Sequence, residues 1–186
     1  CIEKLRRAIK PIDPHFATTK LVSIENTING QVLPLAYLAQ LRAFVDQHKL
    51  ALHLDGARVY NAATALNVDI TEIAKFVDSM SICLSKGLGA PIGSLLLGST
   101  ELICQARRWR KVLGGGMRQA GVLCAAAKVA LTDNVCKLKI DHQNAQYLAE
   151  KLSMLKGITV KKQSSTNMVF IEFDDALDIN AIAAHL

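Results

Sequence analysis

Two short segments of the chain each end an apolar run with side chains that can do chemistry. Residues 53–58 read His-Leu-Asp-Gly-Ala-Arg and contain a carboxylate at Asp55 and a guanidinium at Arg58. Residues 81–93 contain one lysine, Lys86, which is followed directly by a glycine. An apolar run that ends in a polar residue and a glycine is typical of a strand and the turn after it. The two segments therefore predict an acid, a cation and a lysine at strand ends.

This set of side chains matches what a pyridoxal phosphate enzyme needs. Lys86 would form the imine with the cofactor, Asp55 would keep the pyridine nitrogen protonated, and Arg58 would hold a carboxylate or ring oxygen. The glycines beside the lysine would let a flat ring approach the backbone. Each residue also has an ordinary interpretation. Lys86 could extend to solvent at a strand end, Asp55 could cap a turn or helix, and Arg58 could be its ion-pair partner.

Three other polar residues have weaker claims to a role. His53 shares a face of the predicted strand with Asp55, and we interpret it as a hydrogen-bonded or supporting histidine rather than a catalyst. His15 lies in a polar turn after a proline, where an isolated histidine is usually inert. Arg118 follows three consecutive glycines, and a cation beside the free amides of a helix N-terminus is suited to a phosphate.

Two nucleotide-binding motifs are absent from the chain. Gly87, Gly89 and Gly93 resemble a dinucleotide loop, but Ile92 occupies the position of the third glycine and a strand-like run follows. A P-loop is excluded because no glycine-lysine-serine or glycine-lysine-threonine triplet occurs. The glycines around Lys86 are therefore better explained by the lysine itself.

The composition limits the class of protein. The chain has 186 residues, of which 51% are hydrophobic and 20% charged, enough for one substantial core or one domain plus part of another. The net charge is +6, and a basic run at residues 107–111 is interpreted as a solvated helix end near an anionic ligand or partner subunit. With 5% aromatic residues and no binding motif, we expect no nucleic acid partner.

The cysteines and the apolar runs indicate the compartment. The five cysteines are odd in number and have no paired metal-site spacing, which favours a reducing cytoplasm and argues against a disulfide or zinc framework. No apolar run approaches the length of a membrane span. The chain starts without methionine and stops inside a predicted helix, so we expect a fragment of a longer protein.

The remaining pattern alternates strands with helices, which predicts an α/β fold with a mostly parallel sheet. Ligands of such sheets gather at the carboxyl ends of the strands. We expect residues 1–136 to belong to a large cofactor-binding domain, and residues 137–186 to form an interdomain helix and the start of a small α+β domain. Predicted strands cover 21–25, 50–54, 79–84, 94–97, 158–161 and 168–173, and predicted helices cover 34–48, 100–112, 117–132 and 134–155, with a short helix near 69–72 capped by Thr71.

At these residues the chain resembles the low-specificity L-threonine aldolases, a branch of the fold-type I pyridoxal phosphate enzymes. The likeness covers almost the whole chain, and its combined pattern is specific within that fold type. One departure is Ile28, which stands where relatives often carry histidine. The matching stretches are residues 24–27, 29–34, 52–58, 61–62, 82–93, 108–111, 114–119, 141–142, 144–145 and 166–168.

The resemblance implies a role for each residue near the cofactor ring. Lys86 would be the lysine that binds the cofactor covalently, and Asp55 would pair with the pyridine nitrogen. Ala57 would pack near the ring face, and Arg58 would contact the ring oxygen or the substrate carboxylate. These roles agree with the chemistry inferred from the residues alone.

The resemblance also implies contacts between subunits. Arg118 and Lys111 would reach the cofactor phosphate of a neighbouring subunit, since active sites in this family form between subunits of a dimer of dimers. His15 would lie near the substrate side chain and is one candidate for the catalytic base. A water or a residue outside this chain are the other candidates.

The implied reaction is retro-aldol cleavage of L-threonine or L-allo-threonine to glycine and acetaldehyde, in threonine breakdown or glycine supply. The partners would be a small amino acid substrate and further copies of the chain, with no membrane. We expect the isolated chain to be inactive. One alternative is another fold-type I lyase that acts on β-hydroxy or β-substituted amino acids, and a second is a non-enzymatic binding module with a basic face.

Overall fold

The carboxyl ends of three neighbouring strands form one edge of the main sheet. The computed structural model describes residues 1–161 and 164–185. The sheet has the order β1-β2-β3-β4, in which β1 pairs with β2 and β2 with β3 in parallel, whereas β3 and β4 are antiparallel. This arrangement agrees with the predicted α/β class. The strands are β1 (Leu21–Glu25), β2 (Ala51–Asp55), β3 (Ser79–Cys83) and β4 (Ser94–Gly98).

Helices connect and flank these strands. None of those within the described ranges is long and apolar enough to cross a membrane. The first helix, which was not predicted, precedes β1. The helices are α1 (Ile2–Ala8), α2 (Leu35–Gln47), α3 (Val59–Leu66), α4 (Thr71–Ala74), α5 (Thr100–Val112), α6 (Gly121–Asp133), α7 (Leu138–Ser153) and α8 (Ile179–His185).

Three predicted helix starts differ from the structure. Helix α6 begins at Gly121 rather than near residue 117, because Gln119 has a φ of 51°, which a helix does not accept. The predicted helix 134–155 divides into a 3₁₀ turn (Val135–Lys137) and α7. Thr71 does not cap α4, since it is the first residue of that helix. The Asp69 carboxylate accepts instead from the Thr71 backbone N–H at 2.8 Å.

Two apolar clusters hold the parallel strands in place. The first joins Leu54, Met80 and Ile82 to α3 and to Leu138 at the start of α7. The second packs α2 against the other part of β1 and β2, with Leu52 completely buried. Each fully buried leucine stabilises the fold by about 1.5–3 kcal/mol. The strand ends that carry Asp55 and precede Lys86 therefore rest on a packed support.

A second, smaller sheet follows α7. It pairs β5 (Ile158–Val160) with β6 (Ile171–Phe173) in antiparallel fashion. Between them, Thr166 is buried and donates from its hydroxyl to the Gly30 carbonyl at 2.8 Å, and Ser164 Oγ donates to the same oxygen at 3.0 Å. These bonds tie the second sheet to the turn that follows β1.

Replacement of Gly30 by alanine tests this tie. Gly30 has a φ of 72°, and an added Cβ would lie 2.3 Å from Ser164 Oγ. We expect Gly30→Ala to lower the free energy of unfolding by about 2–4 kcal/mol, because backbone strain and a side-chain clash add. Urea unfolding followed by circular dichroism measures the change.

Two other glycines serve as controls for Gly30→Ala. Gly114 shares the positive φ, at 84°, but has open space around an added Cβ, so Gly114→Ala reports the strain alone. Gly121 has neither feature, and Gly121→Ala should be almost neutral. If Gly30→Ala and Gly114→Ala lower the free energy of unfolding equally, the clash of the added methyl group with Ser164 contributes nothing.

Candidate active site

Asp55 ends β2 between the two strands that flank it. Its register partners are Glu25 on β1 and Ser81 on β3. The Asn26 N–H donates to the Asp55 carbonyl at 3.1 Å, and the Gly56 N–H donates to the Ser81 carbonyl at 2.9 Å. The backbone on both sides of Asp55 is therefore fixed by neighbouring strands.

The turn after Asp55 presents an exposed carboxylate. Asp55 Oδ1 accepts from the Ala57 N–H at 3.0 Å, which fixes the side chain in a tight local turn. Gly56 is buried, and a Cβ at this position would lie 2.6 Å from the Ser81 carbonyl oxygen, so only glycine fits. Ala57 is half-buried, and half-buried Arg58 immediately precedes α3.

Lys86 lies in the loop that follows β3. The loop closes on itself through hydrogen bonds from the Gly89 N–H to the Lys86 carbonyl and from the Ala90 N–H to the Leu84 carbonyl, both 2.9 Å. Leu84, Leu88 and Ala90 are buried, whereas Lys86 is exposed. The apolar residues thus anchor the loop and leave the lysine amine accessible.

The side chains at this edge of the sheet fit the ring end of pyridoxal phosphate. The cofactor requires an amine for covalent attachment and an acid for its ring nitrogen. Asp55 ends β2, and Lys86 follows β3. These two strands are adjacent and parallel, and such strands lie about 4.8 Å apart. Arg58 adds a cation on the same turn as Asp55. Asp55, Arg58 and Lys86, called here the donor set, therefore have the chemical types that the cofactor requires and lie at one edge of the sheet.

His53 is hydrogen-bonded, as the sequence predicted. Its Nδ1 lies 2.8 Å from Ser79 Oγ across the strand pair, so the ring is hydrogen-bonded and half-buried within the sheet. This bond fixes the side chain two residues before Asp55. This contact agrees with the sequence interpretation of a hydrogen-bonded histidine.

His15 lies in the irregular segment between α1 and β1. Its ring is 87% exposed, and Nδ1 lies 2.8 Å from Asp13 Oδ1. The His15 backbone N–H and then its imidazole hold the pKa of the Asp13 carboxyl below its ordinary value through hydrogen bonds. The structure gives His15 this partner and does not bring it into contact with Asp55 or Lys86 in the described residues. Its catalytic role stays a prediction.

Lys111 and Arg118 lie on either side of the glycine run that follows α5. Lys111 is exposed in the last turn of α5, and its side chain passes close to Gly116, where an added Cβ would be 2.7 Å from Lys111 Cδ. Arg118 is exposed in the loop before α6. The described contacts do not join either cation to Asp55 or Lys86, so their phosphate role also stays a prediction.

The sequence matches one protein family over almost its whole length. Residues 1–176 match the family model described as beta-eliminating lyase. The chain belongs to the beta-eliminating lyase family. Members of this family are pyridoxal-phosphate-dependent lyases, so the family relationship and the donor set agree on the cofactor.

Within this family, the chain is similar to curated proteins named as threonine aldolases. It is 51% identical over 170 residues to the low specificity L-threonine aldolase of Escherichia coli strain K12, covering 91% of this chain and 50% of that protein. It is 47% identical over 167 residues to the probable low-specificity L-threonine aldolase 2 of Arabidopsis thaliana, covering 88% and 47%. The chain thus spans about half the length of the curated relatives that it matches.

A solved structure confirms the predicted fold. The chain superimposes on the threonine aldolase of Leishmania major with a TM-score of 0.80 at 25% identity, covering 99% of this chain and 54% of that one. The chain therefore has the fold-type I α/β architecture, with its parallel strands ending at Asp55 and just before Lys86.

Sequence reasoning missed two partly buried polar contacts near these residues. Asn61 on α3 is only 3% exposed, and its Nδ2 lies 3.2 Å from Nε2 of half-buried His142 on α7. Asn134 Nδ2 donates to the Leu88 carbonyl in the lysine loop at 2.8 Å. A polar residue among apolar and small residues, as in Val-Tyr-Asn-Ala-Ala, was the available signal for Asn61.

The partial burial of His142 predicts a pH dependence of stability. Burial lowers the pKa of His142 below its ordinary value of 6.5, and the Asp141 carboxylate opposes this shift only in part. The unfolded chain then binds more protons than the folded chain once the pH drops below about 6.5. This contribution to stability is complete above that pH and is lost as the pH falls through the lowered value.

An NMR titration of the His142 ring measures the shift directly, and we expect a midpoint below 6.5. His142→Gln keeps a hydrogen-bond acceptor for Asn61 but does not titrate. It should therefore lose less stability than the wild type between about pH 7.5 and 5.5. A His142 midpoint at or above the ordinary value would contradict the prediction.

Proposed function

We propose that the protein containing this chain cleaves L-threonine and L-allo-threonine to glycine and acetaldehyde with pyridoxal phosphate. The observation that carries this proposal is the placement of Asp55 and the Lys86 loop at the carboxyl ends of adjacent parallel strands. The support from similarity is the 51% identity with an enzyme named low specificity L-threonine aldolase.

Four residues of this chain would handle the cofactor ring and the substrate. Lys86 would hold the cofactor covalently through Nζ. Asp55 holds a proton on the ring nitrogen, and Ala57 packs near the ring face. Arg58 binds the ring oxygen or the substrate carboxylate. When bound, the cofactor supplies an electron sink for the pair left on the α-carbon as the Cα–Cβ bond breaks.

Proton transfer and phosphate binding are assigned to residues that lie outside the Asp55 turn and the Lys86 loop. A base takes the proton of the β-hydroxyl as the Cα–Cβ bond breaks and acetaldehyde leaves, and the α-carbon then gains a proton to give glycine. His15 is the candidate base within this chain. Lys111 and Arg118 would bind the cofactor phosphate of a neighbouring subunit in a cytoplasmic dimer of dimers.

The chain is also proposed to divide into two parts. Residues 1–136 would belong to the large cofactor domain, and residues 137–186 would supply the interdomain helix and the start of a small domain. The separate β5–β6 sheet supports this division, as do the contacts of α7 with both α3 and β5.

A second candidate function uses the same site. The family model is described as beta-eliminating lyase, which favours an enzyme that removes a β-substituent and releases ammonia and a keto acid. Product analysis separates the two candidates. Aldol cleavage of threonine yields acetaldehyde and glycine, whereas β-elimination yields ketobutyrate from threonine or pyruvate from serine.

Borohydride trapping tests the proposed function. The full-length protein, loaded with pyridoxal phosphate, is reduced and digested, and the modified peptide is mapped by mass. We expect a phosphopyridoxyl group on Lys86 and acetaldehyde plus glycine as products. A folded full-length protein without the label on Lys86 would reject the assignment.

A further inference from the structure

The loop that carries Lys86 rests on the start of α7 and the turn before it. Asn134 Nδ2 donates to the Leu88 carbonyl at 2.8 Å, a contact between residues 46 positions apart in the sequence. Asn134 Oδ1 accepts from Lys137 Nζ at 2.8 Å, so both ends of the amide are engaged. The carboxamide therefore links the lysine loop to the segment that leads into α7.

The glycine next to the lysine packs against the same segment. A Cβ added to Gly87 would lie 2.9 Å from Leu138 Cδ2, and 3.6 Å from Asn61 Oδ1. Leu138 is completely buried within the first apolar cluster. A side chain at position 87 would therefore press against Leu138.

Asn61 connects the same support to the turn that carries Asp55. It lies on α3, the helix that begins immediately after Arg58, and is hydrogen-bonded to His142 on α7. Residues 134–142 thus contact the Lys86 loop through Asn134 and Leu138, and the helix after Asp55 through His142. One segment supports both halves of the donor set.

We propose that residues 134–142 position Lys86, and that Asn134 is the positioning residue that fixes its loop. The inference rests on the proposed function, since the residue positioned is the proposed cofactor lysine. Lys86 is exposed, and its amine lies at the end of a flexible four-carbon side chain. The position of the amine therefore depends on how firmly the backbone of Lys86 is held. A displacement of about 1 Å at a reacting group can cost about a hundredfold in rate.

The test replaces Asn134 by aspartate in the full-length protein. Asn134→Asp removes the N–H donor to Leu88 and keeps an oxygen for Lys137. Asn144→Asp is the matched control, because it makes the same change of charge at an exposed position of α7. Hydrogen exchange of the cofactor-free protein follows the bonded amides of Leu84, Gly89 and Ala90. Steady-state kinetics with L-threonine follow the loaded enzyme.

For Asn134→Asp we expect exchange in the 84–90 loop to be about tenfold faster, with exchange in α2 unchanged. We expect kcat to fall about tenfold and KM to stay within about twofold, because Asn134 is not among the residues proposed to bind the substrate. Asn144→Asp should change none of these values. Unchanged loop exchange, an equal acceleration in α2, or an unchanged kcat would each overturn the inference.

Gly87→Ala provides a second variant that leaves residues 134–142 intact. The added methyl group would push the loop away from Leu138, and the same split between kcat and KM is expected.

Wild-type protein without a label on Lys86 after borohydride would reject the proposed function. Labelled wild type with unaltered Asn134→Asp kinetics would reject the positioning role alone.

Discussion

Replacement of Lys86 by arginine is expected to abolish threonine cleavage while the fold stays intact. Arginine keeps the positive charge and the approximate length, but its guanidinium cannot form the covalent bond to the cofactor. We expect the rate of acetaldehyde release from L-threonine to fall by about 10³-fold or more. The absorbance band of the lysine-bound cofactor should disappear as well. A coupled assay for acetaldehyde and a visible spectrum of the loaded full-length protein measure both effects.

The fold should tolerate this change because the Lys86 side chain is exposed. The loop is anchored by Leu84, Leu88 and Ala90, and the lysine is exposed between them. Lys75→Arg is the matched control, since Lys75 is an exposed lysine that pairs with Glu72 near α4 at 2.5 Å. An exposed pair of this kind contributes little stability, so the control should keep full activity. Retention of more than about a tenth of the activity by Lys86→Arg would exclude Lys86 as the covalent residue.

The strands and the loops that follow them were predictable because their signals are local. An apolar run followed by a polar residue and glycine predicted that Asp55 ends β2 and that Lys86 follows β3, and the structure places them so. The parallel pairing followed from the alternation of strands with helices. The strand ends depend on a few consecutive residues and the pairing on the order of elements along the chain, and both can be read from the sequence.

Contacts between distant segments could not be read in the same way. The bond between Asn134 and Leu88 joins residues 46 positions apart, and nothing in the local pattern around either residue indicates the other. The start of α6 was placed too early because the positive φ of Gln119 follows from its surroundings and not from helix propensity. Thr71 was mistaken for a cap because Asp69, two residues earlier, satisfies the helix start instead.

Replacement of Asp55 by asparagine is expected to lower kcat by about 10²- to 10³-fold. Asparagine has the same shape, and its Oδ1 can still accept from the Ala57 N–H, so the turn after β2 should persist. The variant loses the negative charge that we propose holds a proton on the ring nitrogen, and with it the electron-withdrawing form of the ring. Lys86 should still be labelled by borohydride, because covalent attachment does not require the acid.

Asp69→Asn is the matched control for the loss of charge. Asp69 accepts from the Thr71 N–H at 2.8 Å in the same two-residue turn geometry, but it lies at the start of α4 rather than at the end of a strand. Both variants remove one exposed carboxylate from the same kind of turn, although Asp69 also accepts from the Thr71 hydroxyl at 2.6 Å, which the asparagine oxygen can still do. We expect Asp69→Asn to keep the wild-type kcat. If Asp55→Asn also stays within about fivefold of the wild type, the ring nitrogen has another partner and the assignment of Asp55 fails.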